Sequence, residues 1–379
     1  MKVKSFIVAS IIFSSFVLLV LVDKLYLSKK DLLGMVKLES TENTVVEKET
    51  VEFLEILASN LEVPWAITFL PDNTMLVTER SGKVRQIGVD SKQNTPIATL
   101  DVKQIGEGGL LGIAAHPNFV ENHFVYFYYT YSGNEESTLN KVTRMVFEHE
   151  SLREEMTIVD KIEGAANHNG GRIKFGPDNY LYITTGDAQE PSLAQDITSL
   201  AGKILRVGDD GRVPDDNPFG NLVYSYGHRN PQGISWDENG NLWATEHGRS
   251  GVLSGRDEIN RIEKGVNYGW PEIQGDEKRT GMVSPYIHSG DFTTWAPAGI
   301  AIKNGILYFG GLRGQALYKV DTKKNVVEIE ELYKDQFGRI REVIFGPDNY
   351  VYITTSNKDG RGDPDDTDDK LIRININSL

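Results

Sequence analysis

The sequence predicts an all-β fold, a six-bladed β-propeller of four-stranded antiparallel blades preceded by an N-terminal membrane-anchor helix. Three features predict this fold: a hairpin phrase that recurs, the spacing of its copies, and an apolar run that opens the chain. The two closest copies, FGPDNYLYITTGD (175–187) and FGPDNYVYITTSN (345–357), agree at ten of thirteen positions. Looser copies occupy residues 69–82, 114–130, 236–248 and 302–314.

Each copy has the pattern strand, Pro/Asn/Asp/Gly turn, β-rich strand. The six turn centres are 44 to 65 residues apart, which is the length of chain that a four-stranded blade needs. These centres lie near Asp72, Phe119, Asp178, Asn239, Asn304 and Asp348. We expect the ring to close by pairing of residues 51–57 with residues 371–376, which leaves no free sheet edge.

The composition excludes several classes of function. The net charge of −14 and a pI near 5.1 argue against nucleic-acid binding, which needs a basic face. We interpret the acidity as serving solubility. The absence of cysteine excludes disulfides, thiolate metal sites, cysteine nucleophiles and covalently attached c-type haem.

The N-terminus predicts a location outside the cytoplasmic membrane. Lys2 and Lys4 precede an uncharged run over residues 5–22, and no small-residue cleavage site follows it. We therefore predict an uncleaved signal-anchor over residues 1–27, with a secreted protein after signal cleavage as the alternative. Residues 28–50 are predicted to form a polar tether and residues 51–379 the catalytic propeller.

The hairpin turns also predict which polar residues meet. If a turn centres on Asp178, residues whose numbers sum to about 356 face each other, so His168 lies beside Asp187. The same arithmetic places Arg229 opposite Gly248. The strand ends away from the turns share one face of a propeller, so a single cavity is expected to gather the polar residues found there. Besides His168, Asp187 and Arg229, the polar residues expected in this cavity are Glu107, Arg339 and Arg341.

Each motif has a structural alternative when it is taken alone. A lone histidine such as the one in NHNGGR (167–172) is more often structural, although a carboxylate neighbour would make it a base. GHRNPQG (227–233) also fits a braced turn, and the arginine pair of GRIRE (338–342) also fits an exposed edge. The acidic stretches 209–218 and 363–369 lack EF-hand spacing, so we predict solvated loops there.

Together and in this order, the motifs resemble the soluble quinoprotein glucose/aldose sugar dehydrogenase family. The resemblance spans about residues 55–379, and VNYGWP with GHRNPQG is its most specific pair of motifs. The matching segments include VPWAITFLPD, EGGLLGIAAHP, NHNGGRIKFGPD, AGKILRV, GHRNPQG, TEHG, DEINRIEKGVNYGWP and GRIREVIFGPD. The resemblance implies a six-bladed propeller that binds pyrroloquinoline quinone (PQQ) and calcium.

The resemblance also implies a role for each matching residue. His168 matches the catalytic base, Asp187 the carboxylate that orients it, and Arg229 the arginine beside the quinone. The implied cofactor contacts are Glu107, Asn230, Arg313, Arg339 and Arg341. The backbone carbonyls of Gly248 and Arg249 match the calcium ligands, and Asn167 and Trp295 match the sugar contacts. The implied reaction is oxidation of an aldose at C1 to the lactone, with electrons passed to an external acceptor.

Four positions depart from the family pattern. Glu107 stands where glutamine is common, and Arg313 where lysine is common. Asn167 replaces an aspartate beside the histidine. The loop over residues 247–258 is longer than usual, with Arg249 where proline is frequent, and this departure bears most on the calcium ligands.

Two other functions remain open at the level of sequence. A calcium-dependent lactonase or esterase on a similar propeller would hold its metal with several axial acidic side chains. A non-catalytic binding module would use the propeller only as a platform. The predicted axial residues are mainly arginine and histidine, which fit an anionic cofactor better.

Overall fold

A computed structural model of the protein describes residues 54–249, 255–324 and 326–375. The predicted segments 1–27 and 28–50 lie outside the described residues, so their boundaries stay predictions. The described chain forms six antiparallel four-stranded sheets. In five of them the strands follow sequence order from the axis outward, and in the sixth the outermost strand comes from the N-terminal end of the described chain. The predicted six-bladed propeller is therefore confirmed.

The first three blades follow one another along the chain. Blade one contains β2 (Pro64–Phe69), β3 (Thr74–Glu79), β4 (Lys83–Gly88) and β5 (Asn94–Thr99). Blade two contains β6 (Leu110–Ala115), β7 (Phe124–Ser132), β8 (Thr138–Glu148) and β9 (Ser151–Glu163). Blade three contains β10 (Ile173–Phe175), β11 (Leu181–Thr185), β12 (Lys203–Val207) and β13 (Val223–Tyr226).

The last three blades complete the ring. Blade four contains β14 (Pro231–Trp236), β15 (Leu242–Glu246), β16 (Glu258–Ile262) and β17 (Ile287–His288). Blade five contains β18 (Pro297–Lys303), β19 (Ile306–Gly311), β20 (Leu317–Asp321) and β21 (Ile329–Leu332). Blade six contains β22 (Ile340–Phe345), β23 (Val351–Thr355), β24 (Leu371–Ile374) and the N-terminal β1 (Leu54–Ala58).

The ring closes as predicted, by pairing of the two ends of the described chain. β1 runs antiparallel to β24, with Leu54 opposite Ile374 and Ile56 opposite Ile372. The first strands of neighbouring blades contact one another around the whole ring, which makes them the lining of the central axis. The hydrophobic core lies between adjacent sheets, where side chains such as Tyr128 and Phe309 are fully buried.

All six predicted hairpins join the first two strands of a blade. In blade three the pairs Ile173–Ile183 and Phe175–Leu181 reproduce the expected sum of 356. Five of the six inner strands also carry a β-bulge or irregularity on the side away from the turn. Bulges redirect side chains at the rim of a sheet, so this end of the axis departs from regular pairing.

Helical structure is sparse among the described residues. The turn of the second hairpin holds a short helix, α1 (Phe119–Asn122), and two 3-10 turns occupy Asn134–Glu136 and Pro191–Gln195. No helix within the described ranges has the length and apolar character needed to cross a membrane.

The acidic stretch 363–369 corrects one expectation. We predicted a solvated loop, but Asp368 and Asp369 are buried, with 3% and 0% exposure. The Asp369 carboxylate accepts hydrogen bonds from the backbone N–H groups of Val63 and Asn357. Buried N–H groups need acceptors, so this part of the loop joins blade six to blade one instead of facing water.

Candidate active site

The bulged ends of the inner strands surround a polar cavity of about 650 Å³. A smaller cavity of about 150 Å³ adjoins it and shares part of its wall. The larger cavity is lined by eight of the predicted site residues: Glu107, Asn167, His168, Arg229, Gly248, Arg249, Arg313 and Arg339. Arg341 lines the smaller cavity. The expected gathering of polar residues at one end of the axis is found in the structure.

His168 and Asp187 form a hydrogen-bonded pair in the wall of this cavity. Nδ1 of His168 lies 2.7 Å from Oδ1 of Asp187, and the imidazole is 16% exposed while the carboxylate is fully buried. The carboxylate also accepts hydrogen bonds from Trp270 Nε1 at 2.8 Å and from the backbone N–H of Gln189 at 2.9 Å. These donors fix the carboxylate, which in turn fixes the ring of His168.

Glycine at position 186 permits this pair to form. A Cβ at Gly186 would lie 1.9 Å from the carbonyl oxygen of His168, a distance that no side chain tolerates. The backbone N–H of Ala188 donates to the same carbonyl, which places His168 opposite residue 188 as the hairpin arithmetic predicts. The TTGD motif therefore brings the histidine segment and its carboxylate into contact.

A buried histidine and glutamate brace the GHRNPQG turn. His228 is fully buried between Glu246 Oε2, 2.9 Å from Nδ1, and Ser225 Oγ, 2.9 Å from Nε2. Glu246 also accepts the backbone N–H of Arg229. The turn is therefore braced, as the structural alternative supposed, and Arg229 Nη1 also donates to the His247 carbonyl at 3.3 Å. Arg229 nevertheless lines the cavity as well. Its guanidinium lies 5.3 Å from the Trp270 ring centroid.

Asn230 lies behind the cavity wall. Its Oδ1 accepts the backbone N–H of Gly170 at 3.0 Å, which ties the turn to the histidine segment. Its Nδ2 is buried without a hydrogen-bond partner among the described residues, and so is Nε2 of His247, a residue that lines both cavities. Unsatisfied buried polar groups are costly, so these nitrogens are suited to meet a bound polar group.

Arg339 and Arg341 share one aspartate. Asp359 Oδ2 accepts hydrogen bonds from Arg339 Nη2 at 2.8 Å and from Arg341 Nη2 at 3.3 Å. Both guanidinium groups are almost fully buried, at 7% and 6% exposure. Burial lowers the pKa of Arg341, and the neighbouring Arg339 and Arg80 lower it further against the effect of Asp359. The cluster thus holds more positive charge than one carboxylate offsets.

Glu107 is paired with a cation. Its Oε1 accepts Arg361 Nη1 at 2.6 Å, and its Oε2 accepts the backbone N–H of His168 at 3.2 Å. Burial raises the pKa of Glu107, but His247 and Arg361 outweigh it and hold the pKa below its usual value. Arg361 also donates to Asn167 Oδ1 at 2.9 Å, so two of the positions that depart from the family pattern share one arginine.

Gly248 and Arg249 lie on the cavity wall beside Asp257. The Asp257 carboxylate accepts the backbone N–H of Gly248 at 2.8 Å and those of Trp295 at 2.6 Å and Ala296 at 2.9 Å. This aspartate ties the start of the longer loop to blade five. Residues 250–254 of the loop lie outside the described residues.

Asp187, Asn230 and Trp295 are the predicted site residues that line neither cavity, and of these Trp295 is the one whose side chain packs in the hydrophobic core. Its side chain is 4% exposed and packs against Phe309 and Tyr318 in the core of blade five. Its indole face is thus covered, and the predicted stacking on a sugar is wrong for this position. The neighbouring Arg313 does line the cavity, and its backbone N–H donates to the Trp295 carbonyl at 3.1 Å.

Sequence reasoning missed several residues of the site. Trp270 belongs to the motif VNYGWP, which indicated the family but was given no role. His247, in TEHG, and Gln232, in GHRNPQG, likewise belong to motifs that indicated the family but were given no role. Asp359 and Arg361 lie in the loop after β23, far along the chain from their partners. No local pattern marks such residues, because the fold of the loop alone places them at the axis.

Comparisons with known proteins agree with this geometry. The sequence model of the glucose/sorbosone dehydrogenase family matches residues 61–373. An aldose sugar dehydrogenase of Escherichia coli is 32% identical over 343 residues, which cover 81% of this chain and 91% of the relative. Quinoprotein glucose dehydrogenase B of Acinetobacter calcoaceticus is 32% identical over 264 residues, 60% of this chain and 54% of the relative.

The solved structures agree as well. The PQQ-bound form of an aldose sugar dehydrogenase from Streptomyces coelicolor is similar with a TM-score of 0.79 and 36% identity, covering 85% of this chain and 97% of that one. The family model covers most of the chain, and the E. coli relative is matched over nearly its whole length. The resemblance seen in the sequence is therefore confirmed, and the chain belongs to the glucose/sorbosone dehydrogenase family of oxidoreductases.

Proposed function

We propose that this protein oxidises aldose sugars at C1 to the lactone, with PQQ and calcium as cofactors and an external electron acceptor. The observation that carries the proposal is the His168–Asp187 pair in the wall of a cavity that also presents Arg229, Arg313 and Arg339. A base fixed by a buried carboxylate, next to an arginine cluster, suits proton abstraction beside an anionic cofactor.

The cavity fits a planar molecule that bears several carboxylates. Arginine forms bidentate contacts with carboxylates, and Arg339 and Arg341 together exceed the charge of their shared Asp359. The partnerless Nδ2 of Asn230 and Nε2 of His247 offer further polar contacts. Bound PQQ would supply the acceptor for the C1 hydride, and calcium beside it a Lewis acid.

The base in this proposal is Nε2 of His168. Asp187 occupies the Nδ1 side of the ring, so Nε2 is the nitrogen left to accept the proton of the anomeric hydroxyl. Arg229 would stabilise negative charge that develops in the cavity. Its position over the Trp270 ring restricts where that charge can be stabilised.

Calcium would be held by the backbone carbonyls of Gly248 and Arg249. Support comes from the anchoring of this segment by Asp257, and from its place on the same wall as Arg229. A carbonyl ligand is tolerant of the side chain, so Arg249 in place of proline is compatible with the role.

Sugar selection would depend on the three residues at the cavity mouth, Glu107, Arg361 and Asn167. Their hydrogen bonds fix the direction of the exposed oxygens and nitrogens that meet the sugar hydroxyls. Glu107→Gln removes the charge that pairs with Arg361, so the ratio of kcat/KM values across a panel of aldoses should change. An unchanged ratio would remove Glu107 from substrate selection.

The reaction itself is tested with the purified full-length protein. PQQ and calcium are added, followed by a panel of aldoses, and reduction of an artificial electron-accepting dye is recorded. Reduction that requires PQQ, calcium and sugar is expected. No reduction together with no PQQ binding by calorimetry would overturn the proposal, and hydrolysis of a lactone panel would then favour the lactonase alternative.

Two variants separate the roles of base and cofactor contact. His168→Ala should lower kcat by roughly 10²–10⁴-fold while PQQ binding is retained. Arg339→Ala combined with Arg341→Ala should weaken PQQ binding more than it raises the KM for sugar. Wild-type turnover in the first variant, or wild-type PQQ affinity in the second, would contradict the assigned role.

We further propose that the propeller lies outside the cytoplasmic membrane, anchored by residues 1–27. The support is the apolar run over residues 5–22 with lysines before it, in a segment outside the described residues. Fractionation of cells that express the full chain should recover it with membranes and leave it accessible to protease in spheroplasts. Recovery in the soluble cytoplasmic fraction would contradict this location.

A further inference from the structure

The axial channel is closed midway by an ion pair between opposite blades. Arg172, just before β10, donates through Nη1 to Oε2 of Glu342 on β22, and the two side chains are 7% and 5% exposed. Arg172 Nε donates to the Gln232 carbonyl at 3.0 Å, and the guanidinium lies 4.3 Å from the Trp65 ring centroid. Blades one, three, four and six thus meet here and separate the channel into two parts.

A third cavity lies beyond this ion pair, at the turn end of the inner strands. It has a volume of about 270 Å³, and we call it the lower pocket. All six inner strands contribute to its wall, which is mostly aliphatic, with members such as Ile113, Ile234, Ile300 and Ile344. The two adjoining cavities described above, which together we call the upper cavity, share none of these residues.

Lys174 places one amine in this aliphatic wall. Its Nζ makes a long hydrogen bond of 3.4 Å to Ser235 Oγ. Within the described ranges, no carboxylate lies within 4.0 Å of the amine. The nearby Glu342 is instead held by Arg172 and by the backbone N–H groups of Ile67 and Val343.

Two further observations favour the binding of an anion in the lower pocket. Nη2 of Arg172, a residue of the same wall, is buried and has no hydrogen-bond partner among the described residues. Burial lowers the pKa of Lys174 to about 8, with Glu342 opposing and Arg172 adding to the shift. Arg172 and Lys174 share the single carboxylate of Glu342, so this wall carries an excess positive charge that a bound anion would offset.

We propose that the lower pocket binds a small aliphatic monocarboxylate, with its carboxylate paired with Lys174 Nζ on the side of the pocket where Arg172 Nη2 lacks a partner. Its hydrocarbon tail would pack against the aliphatic wall. A polyol such as a sugar does not fit this wall, which offers few hydroxyl partners, and a cation would meet Lys174 and Arg172. The proposal does not rest on the oxidation of sugars in the upper cavity.

Calorimetric titration of the purified full-length protein with acetate, butyrate and hexanoate tests the proposal. Affinity should rise by about fourfold for each added methylene group until the pocket is filled. Butylammonium, which carries the opposite charge on a similar tail, should not bind. Lys174→Met keeps the length of the side chain but removes the charge, so butyrate affinity should fall at least tenfold.

Two controls separate this site from other sources of binding. Lys323→Met removes an exposed lysine and should leave butyrate affinity unchanged. The double variant Arg339→Ala with Arg341→Ala should also retain butyrate binding, because these arginines line the upper cavity. Binding that survives Lys174→Met but is lost in this double variant would overturn the proposal, as would affinity independent of tail length or the absence of binding.

The pH dependence gives a test that needs no variant. Lys174 must be protonated to pair with the carboxylate, and the charged groups facing it are Arg172 and Glu342. Butyrate affinity should therefore be constant between about pH 6 and 7.5 and should fall as the pH rises above about 8. Constant affinity up to pH 10 would contradict a role for the lysine.

Discussion

The two nearly identical hairpins, residues 175–187 and 345–357, lie in blades three and six, directly opposite each other across the axis. Their turns are built in the same way. Asp178 Oδ2 accepts Tyr182 Oη at 2.9 Å, and Asp348 Oδ2 accepts Tyr352 Oη at 2.8 Å. Each aspartate also pairs with an arginine of the third strand of its sheet.

The hairpins differ where they reach the cavity. One ends in Gly186–Asp187, and its carboxylate holds His168. The other ends in Ser356–Asn357, where the serine hydroxyl accepts Arg341 Nε at 3.0 Å and the amide oxygen accepts the backbone N–H of Arg339 at 2.8 Å. The same scaffold therefore holds a proposed base in one blade and proposed anion-binding arginines in the other, with different residues at the end of its second strand in each case.

Asp187→Asn gives the first hairpin the final residue of the second hairpin, and we expect it to have the largest effect of the changes considered, on kcat. Every group that faces the Asp187 carboxylate is a donor, so an amide NH₂ there must oppose one of them. We expect kcat with PQQ and sugar to fall by roughly 10²–10⁴-fold, with a folded protein by circular dichroism. Activity within threefold of wild type would show that the carboxylate does not orient the base.

Gly186→Ser makes the other half of the same conversion. Because its Cβ would meet the His168 carbonyl at 1.9 Å, the backbone must shift, and we expect a loss of about 2–3 kcal/mol in the free energy of unfolding. Ser356→Gly is the matched reverse change and should cost about 1 kcal/mol. Urea titration measures both, and equal losses would contradict the steric argument.

Asn357→Asp reverses the first conversion and should affect stability instead of chemistry. Asn357 Nδ2 donates to Asp368 Oδ2 and to the Phe337 carbonyl, both at 3.0 Å. A carboxylate there would face a second buried carboxylate, so the free energy of unfolding at pH 7 should fall by about 2 kcal/mol. The loss should shrink near pH 4, where one carboxylate can bind a proton, and a loss independent of pH would contradict this reason.

Asp178→Asn and Asp348→Asn probe the part that the hairpins share, and they should have the smallest effect. Each removes the charge that faces an arginine, Arg206 or Arg373, at a partly exposed turn. We expect about 1 kcal/mol for each in urea titration, with the two values within experimental error of one another. A large difference would show that the turns are not equivalent despite their shared sequence.

Much of the fold and part of the site could be predicted because hairpins are local. The turn centre on Asp178 fixes the register of its strands, and that register carries His168 to Asp187 across fewer than twenty residues. The closing pair of β1 with β24 was predictable for a different reason, since a ring with two free edges would be exposed to aggregation.

The remaining site residues escaped prediction because their contacts are not local. Arg361 meets Glu107 from the opposite end of the chain, through a loop whose path depends on buried Asp368 and Asp369. Trp295 was predicted to contact the sugar because its position matches a sugar contact of the family. Its side chain instead packs against Phe309 and Tyr318 just before the first strand of blade five, where its large apolar surface is removed from water.

The number of blades, the end of the axis that carries the polar residues, and the pairing of a histidine with a carboxylate were all predictable from the residues along the chain. Repetition and turn chemistry act over short distances, so they can be read along the chain. The closure of the channel by Arg172 and Glu342, and the position of Lys174 in a separate pocket, depend on how the blades assemble. These contacts join blades that are opposite in the ring, and only closure of the ring brings them together.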